Sequence, residues 1–135
     1  MATEPYRPLP ASAPPRGRTG EDLAARFLER QGLRILERNL RSRLGEIDLV
    51  ARDGATLVFV EVKTRRPGAA DPPQASVDGR KQRRLARLAL NYLARRGLGD
   101  LGCRFDVVAV TVGPDGRAPV VEHFRGAFLA DPWSA

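Results

Sequence analysis

The stretch Gly45-Glu46-Ile47-Asp48-Leu49-Val50, followed by Val60-Glu61-Val62-Lys63-Thr64, decides the fold of this chain. The dipeptide Asp53-Gly54 lies between these two apolar runs, and this arrangement is a strong signal for a β-hairpin. If Asp53-Gly54 is a two-residue loop, alternation along the strands puts four charged side chains on one face of the hairpin. These four are Glu46, Asp48, Glu61 and Lys63.

The shared face suggests a specific chemistry. In this register Asp48 lies diagonal to Glu61, roughly 7–8 Å away by backbone, which a shared metal ion can bridge. Carboxylates are hard oxygen ligands that suit Mg²⁺ or Mn²⁺. Lys63 adds a positive charge beside Glu61, where a phosphate or a hydroxide could lie. The pattern therefore predicts metal-assisted hydrolysis of a phosphodiester.

Two alternatives bear on this prediction. A three-residue loop would move Asp48 to the face opposite Glu61, and a solvent-exposed hairpin would leave the charges hydrated. The residues between the charges favour a hairpin covered on both faces, in which buried carboxylates need a partner. One face is predicted to hold Ile47, Leu49, Ala51, Val58, Val60 and Val62, and the other Val50, Leu57 and Phe59.

Composition limits the class of protein. The 135 residues suit one domain, and the single cysteine and single histidine exclude disulfide scaffolds and multi-histidine metal sites. Neither a signal peptide nor an apolar run of membrane-spanning length is visible, so we expect a cytoplasmic protein without a membrane partner. The net charge is +7. Residues 63–96 carry ten basic and two acidic residues, a local charge of +8 that favours a polyanion over a merely solvated arginine-rich helix.

The order of predicted elements is α-β-β-β-α-β-β. Residues 1–18 contain five prolines and are predicted to be a disordered arm, and residues 19–135 to be a single domain. Thr19 is a predicted N-cap of a helix that ends at Gly32, and Asp78 caps a helix that runs to about Arg96. Strands are predicted at 33–41, 46–52, 56–65, 104–110 and 120–124. The expected fold is α/β (α+β), a mixed central sheet flanked by helices.

The remaining polar residues have several possible roles. Glu21 lies in the first turn of helix one, where it either complements the helix dipole or supplies a third carboxylate to the metal. Lys81 continues the apolar stripe of Leu85 and Leu88 by one turn, so it should lean toward the sheet. Asp106 interrupts an apolar strand and is interpreted as structural, with a partner supplied by Arg104 or by a neighbouring helix. Phosphate contacts are predicted for Lys81, Gln82, Arg65, Arg80, Arg83, Arg84 and Arg87.

Several of these strings occur together in a known order. The chain resembles the YraN family of small uncharacterised bacterial proteins over roughly residues 19–128. The strings that carry the resemblance are Gly20-Glu21, Gly45–Val50, Phe59–Arg65, Lys81–Leu85 and Arg104–Val108. That family is similar to the restriction-endonuclease-like superfamily, whose signature is an acidic residue followed by (Asp/Glu)-x-Lys. It is also similar to archaeal Holliday-junction resolvases.

The resemblance implies a restriction-endonuclease-like fold and roles for individual residues. Asp48 and Glu61 would bind Mg²⁺ or Mn²⁺, Lys63 would sit by the attacking water, and Glu21 would join the metal site. Lys81 or Gln82 would lie at its edge. One departure is that Ile47, rather than proline, precedes Asp48.

These observations give a first hypothesis and two alternatives. The first is a metal-dependent endonuclease (an endodeoxyribonuclease) that hydrolyses DNA at branched or damaged sites. The second is a non-catalytic nucleic-acid-binding module that retains the nuclease fold, and the third is a protein-interaction subunit that uses the basic helix. DNA is the expected partner in the first two, and the sequence leaves a homodimer open.

Overall fold

The computed structural model describes residues 19–113 and 117–128, and within them two helices lie on opposite faces of one five-stranded sheet. The predicted arm at residues 1–18 falls outside the described residues, as do residues 114–116 and 129–135. The elements are α1 (Gly20–Arg30), β1 (Arg34–Ser42), β2 (Gly45–Asp53), β3 (Thr56–Arg65), a short 3₁₀ helix (Pro73–Ser76), α2 (Gly79–Arg95), β4 (Gly102–Thr111) and β5 (Val120–Phe128). The predicted element order is confirmed.

Both helices begin at the predicted caps. The Thr19 side chain accepts a hydrogen bond from the Asp22 backbone N–H at 3.1 Å, and the Asp78 side chain accepts one from the Lys81 N–H at 2.9 Å. Each bond satisfies a donor that the first helical turn would otherwise leave unpaired. Gly20 leaves room for a different contact, because a Cβ at this position would clash with Oγ1 of Thr64. The start of α1 therefore packs directly on the end of β3.

The strands are ordered β1-β2-β3-β4-β5 across the sheet. The β3–β4 pair is parallel and the others are antiparallel, so α2 is the crossover between the two parallel strands. The predicted stripe of α2 packs on one face, where Leu85, Leu88 and Ala89 join Phe59 and other buried residues. The apolar side of α1 packs on the other face against alternate residues of the central strands. The sheet is thus covered on both faces, as the apolar runs predict.

The predicted loop of the β2–β3 hairpin is wrong by one residue. Asp53 pairs with Thr56, so the two loop residues are Gly54 and Ala55 rather than Asp53 and Gly54. Gly54 has a φ of 59°, a left-handed conformation that favours glycine. Moving the loop by one residue shifts the register by two and preserves which residues share a face. Pairing of the two strands ends at Leu49–Val60, next to Asp48 and Glu61, and both of these residues line one cavity.

The predicted face of Ile47 is also wrong. Ile47 packs in the cluster on the α2 side of the sheet, whereas Leu49 packs on the α1 side. The strand therefore changes face at Asp48, between these two residues. On the neighbouring strand Asn39, which lies between the partners of Ile47 and Leu49, has a φ of 52°. Strict alternation fails here because both strands depart from regular β geometry at the same level.

Candidate metal and phosphate site

The β2–β3 ladder opens at Asp48. Regular pairing between β2 and β3 ends at Leu49–Val60. Beyond this pair the side chain of Asp48, rather than a backbone carbonyl, accepts a hydrogen bond from β3. The Val62 backbone N–H donates to Oδ2 of Asp48 at 2.8 Å. This bond holds the Asp48 carboxylate between the two strands, beside the backbone of the residue that follows Glu61.

Glu61 is paired with a cation from α2. Nζ of Lys81 lies 2.5 Å from Oε1 of Glu61, and the two side chains are 30% and 16% exposed. Lys81 lies one helical turn before the buried Leu85, so the same stripe that anchors α2 aims the lysine at the sheet. The predicted lean of Lys81 is therefore confirmed, and this contact brings the helix and the hairpin together at the site.

A cavity of about 290 Å³ opens at this contact. Asp48 and Glu61 form the acidic part of its wall, and Lys81 and Arg84 form the basic part. Gly45 allows the two elements to approach, because a Cβ there would lie 3.2 Å from Cδ of Arg84. The full lining is Gly45, Glu46, Asp48, Glu61, Lys81, Arg84 and Leu85.

The charged form of Asp48 is disfavoured in this site. Burial, reinforced by the charge of Glu61, raises the pKa of Asp48 from its ordinary value of 3.8 to about 7. The hydrogen bond from Val62 works in the opposite direction but does not outweigh them. Burial, together with Glu46, also raises the pKa of Glu21. A carboxylate whose charged form is this unfavourable is typical of a position that binds a cation or exchanges a proton.

Glu21 stands beside the cavity rather than in its lining. With the amide of Asn39 oriented so that its nitrogen faces Glu21, that nitrogen donates to Oε1 of Glu21 at 2.6 Å. Glu21 is close enough to affect the pKa of Asp48. Sequence reasoning missed Asn39, and the available signal was weak: asparagine is one of the residues that tolerates the left-handed conformation.

Two other predicted site residues lie elsewhere. Lys63 shares the face of Glu61 by strand alternation, but it is exposed and does not line the cavity. Nε2 of Gln82 donates to the Val77 carbonyl at 2.9 Å, which joins the start of α2 to the preceding loop. In this structure the cation next to Glu61 is thus Lys81, and Gln82 has a local structural contact.

The predicted phosphate-binding arginines divide into two groups. Four are exposed on α2 at helical positions i, i+3, i+4 and i+7, and form a basic stripe that passes the cavity at Arg84. Arg65 instead donates to the carbonyls of Ala69 and Asp71 and holds the loop after β3. The four stripe residues are Arg80, Arg83, Arg84 and Arg87.

The donor set is compatible with a divalent cation. Mg²⁺ usually keeps several waters and is held by one or two carboxylates, a role for which Asp48 and Glu61 are disposed. Burial and the neighbouring Glu61 raise the pKa of Asp48, so a cation bound beside it would favour its charged form. Within residues 19–113 and 117–128, however, no group of three or more His, Cys, Asp or Glu side chains is arranged to hold a metal. The ligands of such an ion would be two protein carboxylates and water, and Glu21 would lie outside the cavity lining.

A second acidic centre lies on the α1 side of β4. Asp106 is fully buried and accepts hydrogen bonds from Nε of Arg104 at 3.0 Å, from Nε2 of His123 at 2.7 Å and from the Gly126 N–H at 2.9 Å. Burial alone would raise the pKa of Asp106, but the His123 and Arg104 bonds outweigh it and lower the pKa. Arg104 also bonds Asp53 at 2.9 Å. The structural interpretation of Asp106, with Arg104 as its partner, is confirmed.

Comparisons with known proteins place these features in a family. The sequence model of the uncharacterised protein family UPF0102 matches residues 20–110. The chain is 54% identical over 113 residues to a UPF0102 protein of Geobacter sulfurreducens, an alignment that covers 83% of this chain and 87% of the relative. It is 59% identical over 101 residues to a UPF0102 protein of Symbiobacterium thermophilum, covering 75% and 86% respectively. In the part of the chain that the structure describes, no helix is long and apolar enough to cross a bilayer.

Proposed function

This chain belongs to the UPF0102 family, and we propose that it is a metal-dependent nuclease of the restriction-endonuclease-like type that hydrolyses phosphodiester bonds of DNA. The observation that carries the proposal is the cavity in which Asp48 and Glu61 face Lys81 and Arg84. A carboxylate pair and cationic side chains within one cavity suit a substrate that brings both a phosphate and its associated cation.

The chain's own residues have distinct parts in this proposal. Asp48 and Glu61 would hold Mg²⁺ or Mn²⁺, with Glu21 acting on their charge from outside the lining. When bound, such an ion supplies Lewis acidity at the phosphate and lowers the pKa of water. Asp48 is oriented by the Val62 N–H, so its free oxygen can face the cavity. Arg84 and the basic stripe of α2 would hold the phosphate backbone and fix its direction.

A cleavage screen tests the proposal. The purified protein is incubated with linear, nicked, flapped and four-way DNA in Mg²⁺, in Mn²⁺ and in EDTA. We expect cleavage in the metal lanes, and Asp48→Asn and Glu61→Gln should each reduce it at least about 10²-fold, the scale of losing a catalytic group. Glu29→Gln, which changes an exposed carboxylate of α1, is the matched control. Cleavage that survives in EDTA or in both site variants would refute the proposal.

The two lysines can be separated in the same assay. If Lys63 acts on water, as the (Asp/Glu)-x-Lys pattern predicts, Lys63→Arg should bind DNA normally and lose most cleavage, because arginine does not release a proton near neutral pH. If Lys81 has taken that position, Lys81→Arg should have the larger effect. Single-turnover cleavage and binding, measured for both variants, decide between them.

A non-catalytic nucleic-acid-binding module is the second candidate. The observation that favours it is the exposed position of Lys63, together with the pairing of Glu61 to a side chain of the protein itself. Such a module would bind DNA through the α2 stripe with a strong salt dependence, a slope of log K against log salt near −4 for about five phosphates. Salt-dependent binding without cleavage on any substrate would favour this candidate over the nuclease.

A further inference from the structure

The Lys81–Glu61 pair places a cation of the protein within the candidate metal site. The 2.5 Å contact involves the carboxylate that the proposed function assigns to the metal, and both side chains are more than half buried. We propose that Lys81 is a resident counter-ion that a divalent cation displaces from Glu61, and that the released ammonium then binds a phosphate of the nucleic acid. The inference rests on the proposed function and adds a regulatory link between its two ligands.

Displacement follows from charge and space. An ammonium on Oε1 of Glu61 occupies one of the two carboxylate oxygens that a metal could use. A divalent ion at Asp48 and Glu61 would lie close to this ammonium, and the partly buried setting strengthens the repulsion between the two cations relative to bulk water. A metal at Asp48 and Glu61 therefore favours movement of the Lys81 ammonium away from its observed position.

The surrounding structure offers the released side chain a destination. Lys81 extends from the first turn of α2 on a flexible four-carbon stem, and Arg84 lies three residues on, at the wall of the same cavity. A phosphate entering the cavity would meet both cations. Lys63 lies exposed outside the lining, so this geometry assigns the phosphate contact to the lysine of α2.

The consequence is thermodynamic coupling between the two ligands. If metal binding frees Lys81 for phosphate, the metal strengthens nucleic-acid binding, and nucleic acid must strengthen metal binding by the same factor. Without metal, Lys81 would neutralise the charge of Glu61. With metal bound, both Lys81 and Arg84 would be available to bind a phosphate.

Calorimetric titration with Mn²⁺ tests the displacement without relying on turnover. Lys81→Gln removes the competing ammonium, and Arg84→Gln removes an equal charge from the same wall without breaking the Glu61 pair. We expect Lys81→Gln to bind Mn²⁺ about fivefold more tightly than the wild type, on the order of one partly exposed ion pair, and Arg84→Gln to gain less than about twofold. Lys81→Met serves as a second variant, and thermal unfolding checks that each protein is folded.

The coupling is measured by repeating DNA-binding titrations with Ca²⁺ and with EDTA. The wild type should bind DNA more tightly in Ca²⁺, and Lys81→Gln should lose most of that gain. Equal tightening of Mn²⁺ binding by both glutamine variants, or none by Lys81→Gln, would overturn the displacement. If the wild type binds Mn²⁺ and Glu61→Gln weakens it, that result leaves the proposed metal site intact. Absence of Mn²⁺ binding in every variant would instead remove the metal site and this proposal together.

Discussion

The two acidic centres described above differ in the donors that reach them and in their burial, which is complete for Asp106 and partial for Asp48. Asp106, on β4, accepts bonds from Arg104, His123 and the Gly126 N–H, and its pKa is lowered. Asp48, on β2, accepts from the Val62 N–H and has Glu61 close by, and its pKa is raised to about 7. Buried carboxylates with enough donors stabilise a fold, whereas those left short of donors are available for a ligand.

The position of each centre in the sheet explains the difference. Asp106 lies where β5 bends across β4, at a register shift between Phe105 and Val107, and this irregularity directs donors from β5 toward it. Asp48 lies where β2 and β3 separate, so the site opens into a cavity instead of being filled by a neighbouring strand. Both centres occur at departures from regular pairing, but only the second is open to a solute.

The largest expected effect is at the satisfied centre. Asp106→Asn should lower the free energy of unfolding by about 3–5 kcal/mol, because it removes a buried charge and turns an amide N–H toward donors that the carboxylate now accepts from. Urea unfolding at neutral pH measures the change. Asp100→Asn, at an exposed loop residue, should change stability by less than about 0.5 kcal/mol. A similar small change for Asp106→Asn would mean that its network adds little to the fold.

The same substitution at the other centre should have the opposite sign. The folded pKa of Asp48 is raised from 3.8 to about 7, so the folded protein binds more protons than the unfolded chain between these values. Stability of the metal-free protein should therefore fall as pH rises from about 4 to about 7 and stay low above it. Asp48→Asn should stabilise the protein in EDTA at pH 8 by up to about 4 kcal/mol, and by little at pH 4.

Urea unfolding across this pH range, in EDTA, measures the effect for both proteins. The amide oxygen of asparagine can still accept from the Val62 N–H, so a change in packing is small. If Asp48→Asn were less stable than the wild type at pH 8, the charge of Asp48 would be well compensated, and the contrast with Asp106 would disappear.

The smallest effect is expected at the rim of the satisfied centre. Arg125 bonds Asp53 at 2.5 Å, but its side chain is 59% exposed. Arg125→Ala should cost less than about 1 kcal/mol, as exposed ion pairs usually do. Arg104→Ala, which removes the contact with the buried Asp106, should cost several times more by the same urea measurement. Equal losses would show that the outer pair, rather than the buried carboxylate, holds the network together.

Much of the fold and of the candidate site could be predicted from the sequence, because the error in the loop position did not change which residues share a face. The loop was predicted one residue too early, but the resulting slip of two residues kept Asp48 and Glu61 on a shared face. The stripe of α2 correctly aimed Lys81 at the sheet, since helical spacing fixes direction. Family membership was also within reach, because the strings that carry the resemblance lie almost wholly in the matched residues 20–110.

The remainder depended on contacts that local patterns do not encode. Ile47 was placed on the wrong face because Asp48 interrupts the ladder, and strict alternation assumes an unbroken one. The bond between His123 and Asp106 follows from the pairing of β4 with β5, which no local pattern near either residue encodes. Asn39 could not be predicted, because its left-handed backbone conformation and its contact with Glu21 depend on how α1 packs against β1.

The central proposal is that Asp48 and Glu61 together bind a divalent cation. Thermal unfolding of the wild type, Asp48→Asn and Glu61→Gln, each in Mn²⁺ and in EDTA, tests it most directly. At a Mn²⁺ concentration about 100 times Kd the wild type should gain about 2.7 kcal/mol and melt several degrees higher, and neither variant should. A wild type that melts at the same temperature with and without Mn²⁺, or variants that gain as much as it does, would contradict the account.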